Sequence, residues 1–339
     1  MDYHFVNHKG KHIYARKNIN TPLMIMMCGL PGSGKSSYAK DIDVATPYIT
    51  KPVIHSSDKL REEMFGNEAA QGDNNKLFCE LHRRIKNDLM NCRDVIYDAT
   101  NIKKKERIQF LESLNKINCF PICVVMATEY EACLFNNKRR ERVVPDYVIE
   151  RMWHNWTPPH YGEGFEHIDY IFSYLSDNNE ITHESMAKYT LGKFFEKADG
   201  FNQENKHHTL SLGEHSTKAA TYIQEHAPDN FNLLYAAMLH DNGKLFTKTE
   251  INAKGEQDGD CHYYQHHCVG AYNSMFYLHR AELIKGENIA EITNLIYYHM
   301  HPYIQWKQSE RVLNRDKELL GNHLYNDILI LHDADLYAH

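Results

Sequence analysis

The sequence lacks the features that would place it in a membrane or among secreted, disulfide-bonded proteins. None of its apolar runs approaches the ~20 residues needed to cross a bilayer, and its polar N-terminus has no apolar signal-peptide core. Its eight cysteines are scattered and never form a C-x-x-C pair, which favours reduced, buried thiols over a disulfide framework. It also has no internal repeats or low-complexity segments. We therefore expect a cytoplasmic protein with no membrane partner.

Composition and charge narrow the class further. A chain of 339 residues is more than one average domain fills, and a net charge of −7 argues mildly against a large nucleic-acid-binding surface. Two local basic clusters, at 103–107 and 138–142, are either solvated helix faces or the sides of a binding groove. The 23 histidines lie mostly after residue 153, which indicates that the second half has its own chemistry.

The first half alternates short apolar runs with amphipathic stretches. Strand, helix and strand in alternation predict a parallel sheet covered by helices on both faces. The predicted strands are 23–28, 53–55, 95–97, 121–126 and 168–172, and the clearest predicted helices are 76–92 and 105–115. We expect this α/β domain to span 22–175, after an extension, 1–21, that contains a hairpin with a Lys9-Gly10 turn and no assigned role.

The pattern changes after the last predicted strand. A polar, turn-rich stretch at 176–180 suggests a boundary, and we expect a linker over 176–203 and an all-α domain over 204–339. Helical spacing occurs at 213–225, 231–239, 267–283, 289–298 and 325–337.

The segment 29–36, GLPGSGKS, fits G-x-x-x-x-G-K-[ST] between a predicted strand and a predicted helix. Its glycines let backbone N–H groups point at phosphate oxygens, and the helix N-terminus adds a positive dipole end. Lys35 is expected to reach the β- and γ-phosphates of ATP, and Ser36 to hold Mg²⁺. An incidental glycine turn is the disfavoured alternative. The candidate nucleotide-binding residues are Gly29, Gly32, Ser33, Gly34, Lys35, Ser36 and Ser37.

Polar residues follow the second and third strands, at the edge where ligands bind in parallel sheets. Asp58 would lie near the γ-phosphate and accept the proton of an attacking hydroxyl, while Arg61, one helical turn on, would hold a phosphate. The alternative for Asp58 is a helix N-cap. Thr100 and Asn101, within the Asp98–Asn101 stretch, would bind the acceptor or the metal's water shell, or else form a capped turn.

The stretch 136–145 places several cations before a proline. Phosphoryl transfer by P-loop enzymes needs cations that neutralise the transferred group. We interpret this stretch as a mobile lid, with Arg139 in a catalytic role and Arg140 and Arg142 binding substrate.

Together these motifs resemble the 5′-hydroxyl polynucleotide kinases of the bacteriophage T4 type, over about residues 23–172. The resemblance implies that Asp58 is the general base on the 5′-hydroxyl, that Arg61 contacts phosphate near the acceptor and that Arg139 contacts the donor phosphates. The motifs that carry it are Gly29–Ser36, Asp58-x-x-Arg61, Asp98–Asn101 and Asn137-Lys138-Arg139 with Val144-Pro145.

The sequence departs from that family at one lid position. Phe135 stands where the family has a second lid arginine, one turn before Arg139. Either Arg140 or Arg142 is expected to replace it. The same wider group includes seryl-tRNA kinases and small-molecule kinases, so the acceptor stays open.

The second half carries histidine and aspartate in an ordered series. Imidazole and carboxylate are standard ligands for a hydrolytic divalent metal. One His-Asp pair alone is weak, but each histidine of the series lies near an end of a predicted helix, so several helices could converge on one centre. The series comprises His215, His240, Asp241, His266, His299 and Asp335.

The order H…HD…H…H…D resembles the HD phosphohydrolase superfamily, over about residues 204–339. The resemblance implies a core site for a divalent transition metal such as Mn²⁺, completed for a second metal, with water as the nucleophile. Lys244 would hold substrate phosphate, and His267, His301 and Asp333 are rival ligands. The core ligands would be His215, His240, Asp241 and Asp335, and the second-metal ligands His266 and His299.

A kinase followed by an HD domain is similar to bacterial fusions of HD domain and polynucleotide kinase, with the order reversed. That resemblance implies RNA end healing: phosphorylation of 5′-hydroxyl ends, removal of 2′,3′-cyclic phosphate or 3′-phosphate, and an RNA ligase as partner. One alternative is a nucleoside or nucleotide kinase fused to an HD nucleotidase, which the acidic charge slightly favours. Another is an HD half that only senses a nucleotide, which the full set of apparent ligands disfavours.

Overall fold

The structure is a computed structural model that describes residues 4–6, 12–16, 18–45, 48–68, 70, 72–175, 187–204, 210–281 and 286–339. The chain divides into two compact units. The first comprises Met1–Ile149 and Glu163–Ser173, and the second comprises Glu150–Gly162 and Tyr174–His339. No helix among these residues is long and apolar enough to span a bilayer.

The first unit is built on a five-stranded parallel sheet, as the sequence predicts. Its strand order is β6-β7-β3-β8-β9. All six residues of the central strand are buried, because a central strand of a parallel sheet is covered on both faces. The strands are β3 (Leu23–Cys28), β6 (Val53–Ser56), β7 (Val95–Asp98), β8 (Phe120–Thr128) and β9 (His167–Ser173).

Helices follow these strands at the expected intervals. The Asp73 side chain accepts hydrogen bonds from the N–H groups of Asn75 and Lys76 and so fixes the start of α3. The helices are α1 (Lys35–Asp41), α2 (Ser57–Phe65), α3 (Asn74–Met90), α4 (Lys104–Glu112), α5 (Tyr130–Asn137) and α6 (Asp146–His154).

The described residues of the N-terminal segment contribute two strands to the first unit. The predicted hairpin strands, β1 (His4–Val6) and β2 (His12–Ala15), pair antiparallel, while the Lys9-Gly10 turn lies outside the described residues. They join β4 (Ile42–Ala45) and β5 (Ile49–Thr50) in a second sheet. Tyr14 is fully buried, and its hydroxyl donates to Asp169 at 2.8 Å.

The second unit is mostly helical. Besides the end of α6, its α-helices within the described ranges are α7 (Leu191–Asp199), α8 (Leu212–His226), α9 (Phe231–Leu239), α10 (Lys244–Thr247), α11 (His266–Arg280), α12 (Gly286–Tyr298), α13 (Gln305–Gln308) and α14 (Glu310–Tyr337). The last one is interrupted at Gly321, whose φ is 72°. A capping box between Ser211 and Glu214 begins α8.

Two expectations for the second half are corrected. It is not all-α, because β10 (Lys248–Ile251) and β11 (Gln257–Tyr263) form an antiparallel hairpin. Most residues of both strands are exposed or half-buried, so they lack the alternation of apolar residues that reveals a strand. The stretch expected as a linker contains α7, and the side chain of Phe194 in this helix is fully buried.

Candidate functional site

Residues 29–34 form the loop between β3 and α1, and Lys35 and Ser36 begin the helix. Gly32 and Gly34 have φ of 81° and 87°, a left-handed conformation that favours glycine, and Gly34 immediately precedes the first residue of α1. A Cβ at position 32 would lie 2.2 Å from the carbonyl oxygen of Cys133. Glycine at position 32 is therefore required by both backbone conformation and space.

Lys35 and Ser36 are held in defined positions at the start of α1. The Lys35 ammonium donates to the Leu30 carbonyl at 2.7 Å and to the Ser33 hydroxyl at 3.3 Å, and burial lowers the pKa of Lys35. The Ser36 hydroxyl donates to Asp98 Oδ2 at 2.8 Å. A loop serine beside a strand-end aspartate is the pair that holds Mg²⁺ in P-loop enzymes.

Asp98 belongs to the stretch whose polar side chains were expected to bind the metal's water shell or the acceptor, and it is the residue of that stretch that accepts from Ser36. The Thr100 carbonyl accepts from the Gly29 N–H at 3.0 Å. Asn101 is buried, and its amide donates to the Met27 carbonyl at 2.8 Å. Thr100 thus braces the first residue of the phosphate loop and Asn101 braces the end of β3, and their part in substrate binding stays a prediction.

Asp58 lies in the first turn of α2, whose N-cap residue is Ser56, so the capping alternative is wrong. Its Oδ1 lies 2.5 Å from Arg142 Nη1, and its Oδ2 lies 3.5 Å from Arg140 Nη2. All three side chains remain partly exposed, at 37%, 29% and 34% respectively. The structure therefore brings the predicted base and two predicted lid arginines together.

Arg61 points towards the start of α3. Its guanidinium donates to Asn74 Oδ1 at 2.9 Å and to the Ala70 carbonyl at 3.4 Å. Its phosphate-binding role stays a prediction.

The stretch predicted to be a lid is anchored at its base. The Asn137 side chain donates to the Val144 carbonyl at 2.7 Å and accepts from the Val144 N–H at 3.0 Å, which closes the loop between them. The Asn136 amide donates to the Gly32 carbonyl at 3.1 Å. The lid is thereby tied to the phosphate loop.

Phe135 stands at the position of the family's second lid arginine, and it contacts Arg139 without supplying a positive charge of its own. The Arg139 guanidinium carbon lies 5.0 Å from the centroid of the Phe135 ring, a cation–π contact. Both side chains are exposed. Arg140 and Arg142, the proposed substitutes for the family's arginine, both face Asp58.

The 103–107 cluster is not a uniformly basic surface. Arg107 is 1% exposed and makes two 2.7 Å bonds to the Glu163 carboxylate. Burial alone would lower the pKa of Arg107, but Glu163 raises it. The interpretation of Arg107 as the side of a binding groove is wrong, because its charge is neutralised inside the first unit.

The predicted metal ligands of the second unit converge at the ends of its helices. Four buried histidines and two buried aspartates meet there. His215 lies in α8, His240 and Asp241 follow α9, His266 begins α11, His299 follows α12, and Asp335 lies near the end of α14.

The six side chains fall into two groups of three, and within each group the ligand atoms lie within 4.8 Å of one another. Asp241 connects the groups: its Oδ2 lies 3.4 Å from Nε2 of His215 and of His240, and its Oδ1 lies 3.3 Å from Nε2 of His266. The first group is His215, His240 and Asp335, and the second is Asp241, His266 and His299.

Each of the four histidines points Nε2 into the centre because its other ring nitrogen is fixed. Each Nδ1 contacts a backbone carbonyl, which can only accept, so Nδ1 carries a proton and Nε2 is the atom that faces the centre. The carbonyls are those of Ala338 for His215 at 3.4 Å, Ala237 for His240 at 2.9 Å, Tyr263 for His266 at 2.8 Å and Ile296 for His299 at 2.6 Å. This donor set fits divalent transition metals.

The electrostatics of the centre match a site for cations. Burial alone would lower the pKa of His240, but the carboxylates of Asp241 and Asp335 raise it to about 10. Burial alone would raise the pKa of Asp241, but Lys244 and His240 hold it well below its usual value. The Lys244 ammonium lies 2.7 Å from Asp241 Oδ2 and 2.8 Å from Gln203 Oε1. Its role towards substrate phosphate stays a prediction.

The rival ligands fall outside both groups. Asp333 is exposed, and neither His267 nor His301 belongs to either group. The structure adds Tyr303, whose hydroxyl donates to Asp335 Oδ2 at 2.9 Å. No spacing in the sequence indicated this tyrosine.

Comparison with known proteins supports the fold of the first unit. Residues 24–159 match a protein family described as an AAA domain. No curated protein matches the sequence.

The chain is similar to a number of solved structures, among them the following two. One is a "putative kinase" from Chloroflexus aurantiacus J-10-fl, at 15% identity and a TM-score of 0.35, covering 50% of this chain and 96% of that one. The other is a gluconokinase from Sinorhizobium meliloti 1021, at 16% identity and a TM-score of 0.31, covering 45% of this chain and 83% of that one. The family match and the geometry of the phosphate loop make residues 24–159 a P-loop domain.

Proposed function

We propose that this protein is a bifunctional RNA end-healing enzyme. Its first activity is ATP-dependent phosphorylation of 5′-hydroxyl polynucleotide ends, and its second is metal-dependent removal of a 2′,3′-cyclic phosphate or 3′-phosphate. One observation carries the proposal: a single chain has a phosphate loop with Asp58 facing lid arginines, and a buried centre of four histidines and two aspartates.

The kinase step depends on positioning and charge. Asp58 would accept the proton of the attacking hydroxyl, since a carboxylate at this edge of the sheet can reach it. Lys35 and Arg139 would neutralise the transferred phosphoryl group. Ser36 and Asp98, 2.8 Å apart, would hold Mg²⁺.

The hydrolytic step would use the centre around Asp241. The histidine Nε2 atoms and the two carboxylates would hold divalent metals such as Mn²⁺, which supply an activated water and polarise a phosphate ester. The backbone carbonyls keep the imidazoles oriented without the metal. Lys244 would turn from Asp241 to a phosphate oxygen of the substrate. No nucleophilic side chain is needed.

The two activities suit the two ends of one RNA break. Cleavage that leaves a 5′-hydroxyl and a 2′,3′-cyclic phosphate produces a substrate for each site. The healed ends, a 5′-phosphate and a 3′-hydroxyl, are those that an RNA ligase joins. We therefore propose RNA as substrate and a ligase as functional partner.

The test supplies both chemistries at once. The protein is incubated with γ-labelled ATP, Mg²⁺, Mn²⁺ and a short RNA with a 5′-hydroxyl and a 2′,3′-cyclic phosphate, and both ends are analysed. We expect 5′ labelling to be lost with Asp58→Asn, and cyclic phosphate removal to be lost with Asp335→Asn. Asp333→Asn is the matched control, because its carboxylate is exposed and lies two positions from the ligand. An RNA unchanged at both ends contradicts the proposal.

A second candidate is a nucleoside or nucleotide kinase joined to a metal-dependent nucleotidase. The burial of Arg107 favours it, since this arginine is lost from the basic surface available to a polynucleotide. Phosphorylation of free nucleosides in preference to RNA ends, measured in competition, would select this candidate.

A further inference from the structure

We infer that Arg140 and Arg142 form a clasp on Asp58, and that the nucleotide donor releases the base by taking these arginines for its own phosphates. The inference rests on the proposed kinase function and adds an order of events to it. Donor binding would precede productive binding of the acceptor hydroxyl.

The contacts divide the carboxylate between the two arginines. Arg142 Nη1 lies 2.5 Å from one oxygen of Asp58, and Arg140 Nη2 lies 3.5 Å from the other. Both oxygens thus face a guanidinium group. A hydroxyl that is to give its proton to Asp58 must approach one of these oxygens, so it competes with the guanidinium groups for the carboxylate.

The donor is the natural competitor for these arginines. The loop that carries them is closed by the bonds between Asn137 and Val144, and it is tied to the phosphate loop by the bond from Asn136 to Gly32. A nucleotide bound at the phosphate loop therefore brings its phosphates to the base of the lid. Arginine binds phosphate strongly, with charge-assisted and often paired hydrogen bonds.

The contact with Asp58 is suited to exchange. The three side chains are between 29% and 37% exposed, and partly exposed ion pairs contribute little to stability because solvent screens them. A polyphosphate with several charges outcompetes a single carboxylate. The remaining lid arginine is occupied differently, since Arg139 lies over the Phe135 ring.

Nucleotide affinity tests the clasp without knowledge of the acceptor. The dissociation constant of a fluorescent, non-hydrolysable ATP analogue with Mg²⁺ is measured for the wild type and for Asp58→Asn. If Asp58 competes for the arginines, its neutralisation tightens analogue binding ~3- to 5-fold, the factor that a partly exposed ion pair allows. If Asp58 does not compete for the arginines, Asp58→Asn leaves the affinity for the analogue unchanged.

Two controls separate the clasp from a general charge effect. Glu62→Gln removes one negative charge from an exposed position on the same helix and should leave affinity unchanged. In an Arg140→Gln/Arg142→Gln background, Asp58→Asn should no longer tighten binding. Equal affinity in the wild type and Asp58→Asn, equal tightening by Glu62→Gln, or tightening that survives loss of both arginines overturns the inference. RNA phosphorylation is a separate measurement, so failure of the proposed function is distinguishable from failure of the clasp.

Discussion

The two candidate sites are built on different physical principles. The predicted metal centre is buried, and each of its histidines is fixed by a backbone carbonyl, so its geometry exists before any ligand arrives. The phosphate site has partly exposed arginines that contact a carboxylate of the protein, so it must rearrange when substrate binds. A rigid arrangement suits metal ions, which demand fixed distances. A site whose side chains rearrange suits a reaction in which two substrates must meet with water excluded.

The largest effect is expected at Asp241, whose carboxylate lies close to histidines of both ligand groups. Asp241→Asn removes a charge that lies within 3.4 Å of Nε2 of His215, His240 and His266. We expect loss of bound metal and a fall in phosphate-ester hydrolysis of at least ~10³-fold, since metals supply several kcal/mol to such reactions. Metal content by mass spectrometry and hydrolysis of cyclic phosphate measure this. Kinase activity should persist, and its parallel loss would contradict the separation of the two sites.

Asp98→Asn should affect the phosphate site and leave phosphate-ester hydrolysis unchanged. The asparagine oxygen can still accept from Ser36, but the negative charge that favours Mg²⁺ is lost. We expect kinase activity to fall ~100-fold, the upper range for residues around a metal, with partial recovery at high Mg²⁺. Kinase rates titrated with Mg²⁺ measure the effect. A rate that is unchanged at every Mg²⁺ concentration would show that Asp98 does not serve the metal.

When the metal is removed, the stability of the protein should depend on pH through the charge of His240. In the metal-free protein the pKa of His240 is about 10, above the ~6.5 of an unfolded chain. Its protonated form therefore stabilises the fold fully below pH ~6.5, and this stabilisation is lost as pH rises towards 10. Thermal melts of chelator-treated protein should show a falling Tm over that window. His240→Gln should flatten the curve, and an equally steep curve in this variant would assign the effect to another group.

The sequence predicts the elements of both sites better than their contacts. The strand at Leu23–Cys28 and the helix at Phe231–Leu239 agree with prediction at every residue, because one is a continuous apolar run and the other is strongly apolar. The hairpin at Lys248–Tyr263 was missed, since its mostly exposed residues carry no apolar alternation.

The metal-ligand positions could be proposed because a histidine near a helix end is visible in the sequence. Their tautomers could not, since these depend on carbonyls such as that of Ala338, which lies 123 positions from His215. The burial of Arg107 was equally invisible, because its partner Glu163 is 56 positions away. Long-range pairs of this kind are set by packing, and a run of cations looks the same whether solvated or buried.

The smallest effect is expected at Tyr303, which orients the predicted ligand Asp335 without being a ligand itself. Tyr303 donates to Asp335 Oδ2 at 2.9 Å, leaving Oδ1 for the centre, where it lies 3.1 Å from His215 Nε2. Tyr303→Phe removes that hydrogen bond and keeps the ring, so Asp335 stays but is held less firmly. We expect metal affinity to weaken ~10-fold, the lower range for groups behind a metal ligand, with hydrolysis recovering at saturating Mn²⁺. Asp335→Asn should not recover under the same conditions, because it loses the ligand charge. A Tyr303→Phe enzyme that stays slow at saturating Mn²⁺ would instead place the hydroxyl in contact with the substrate.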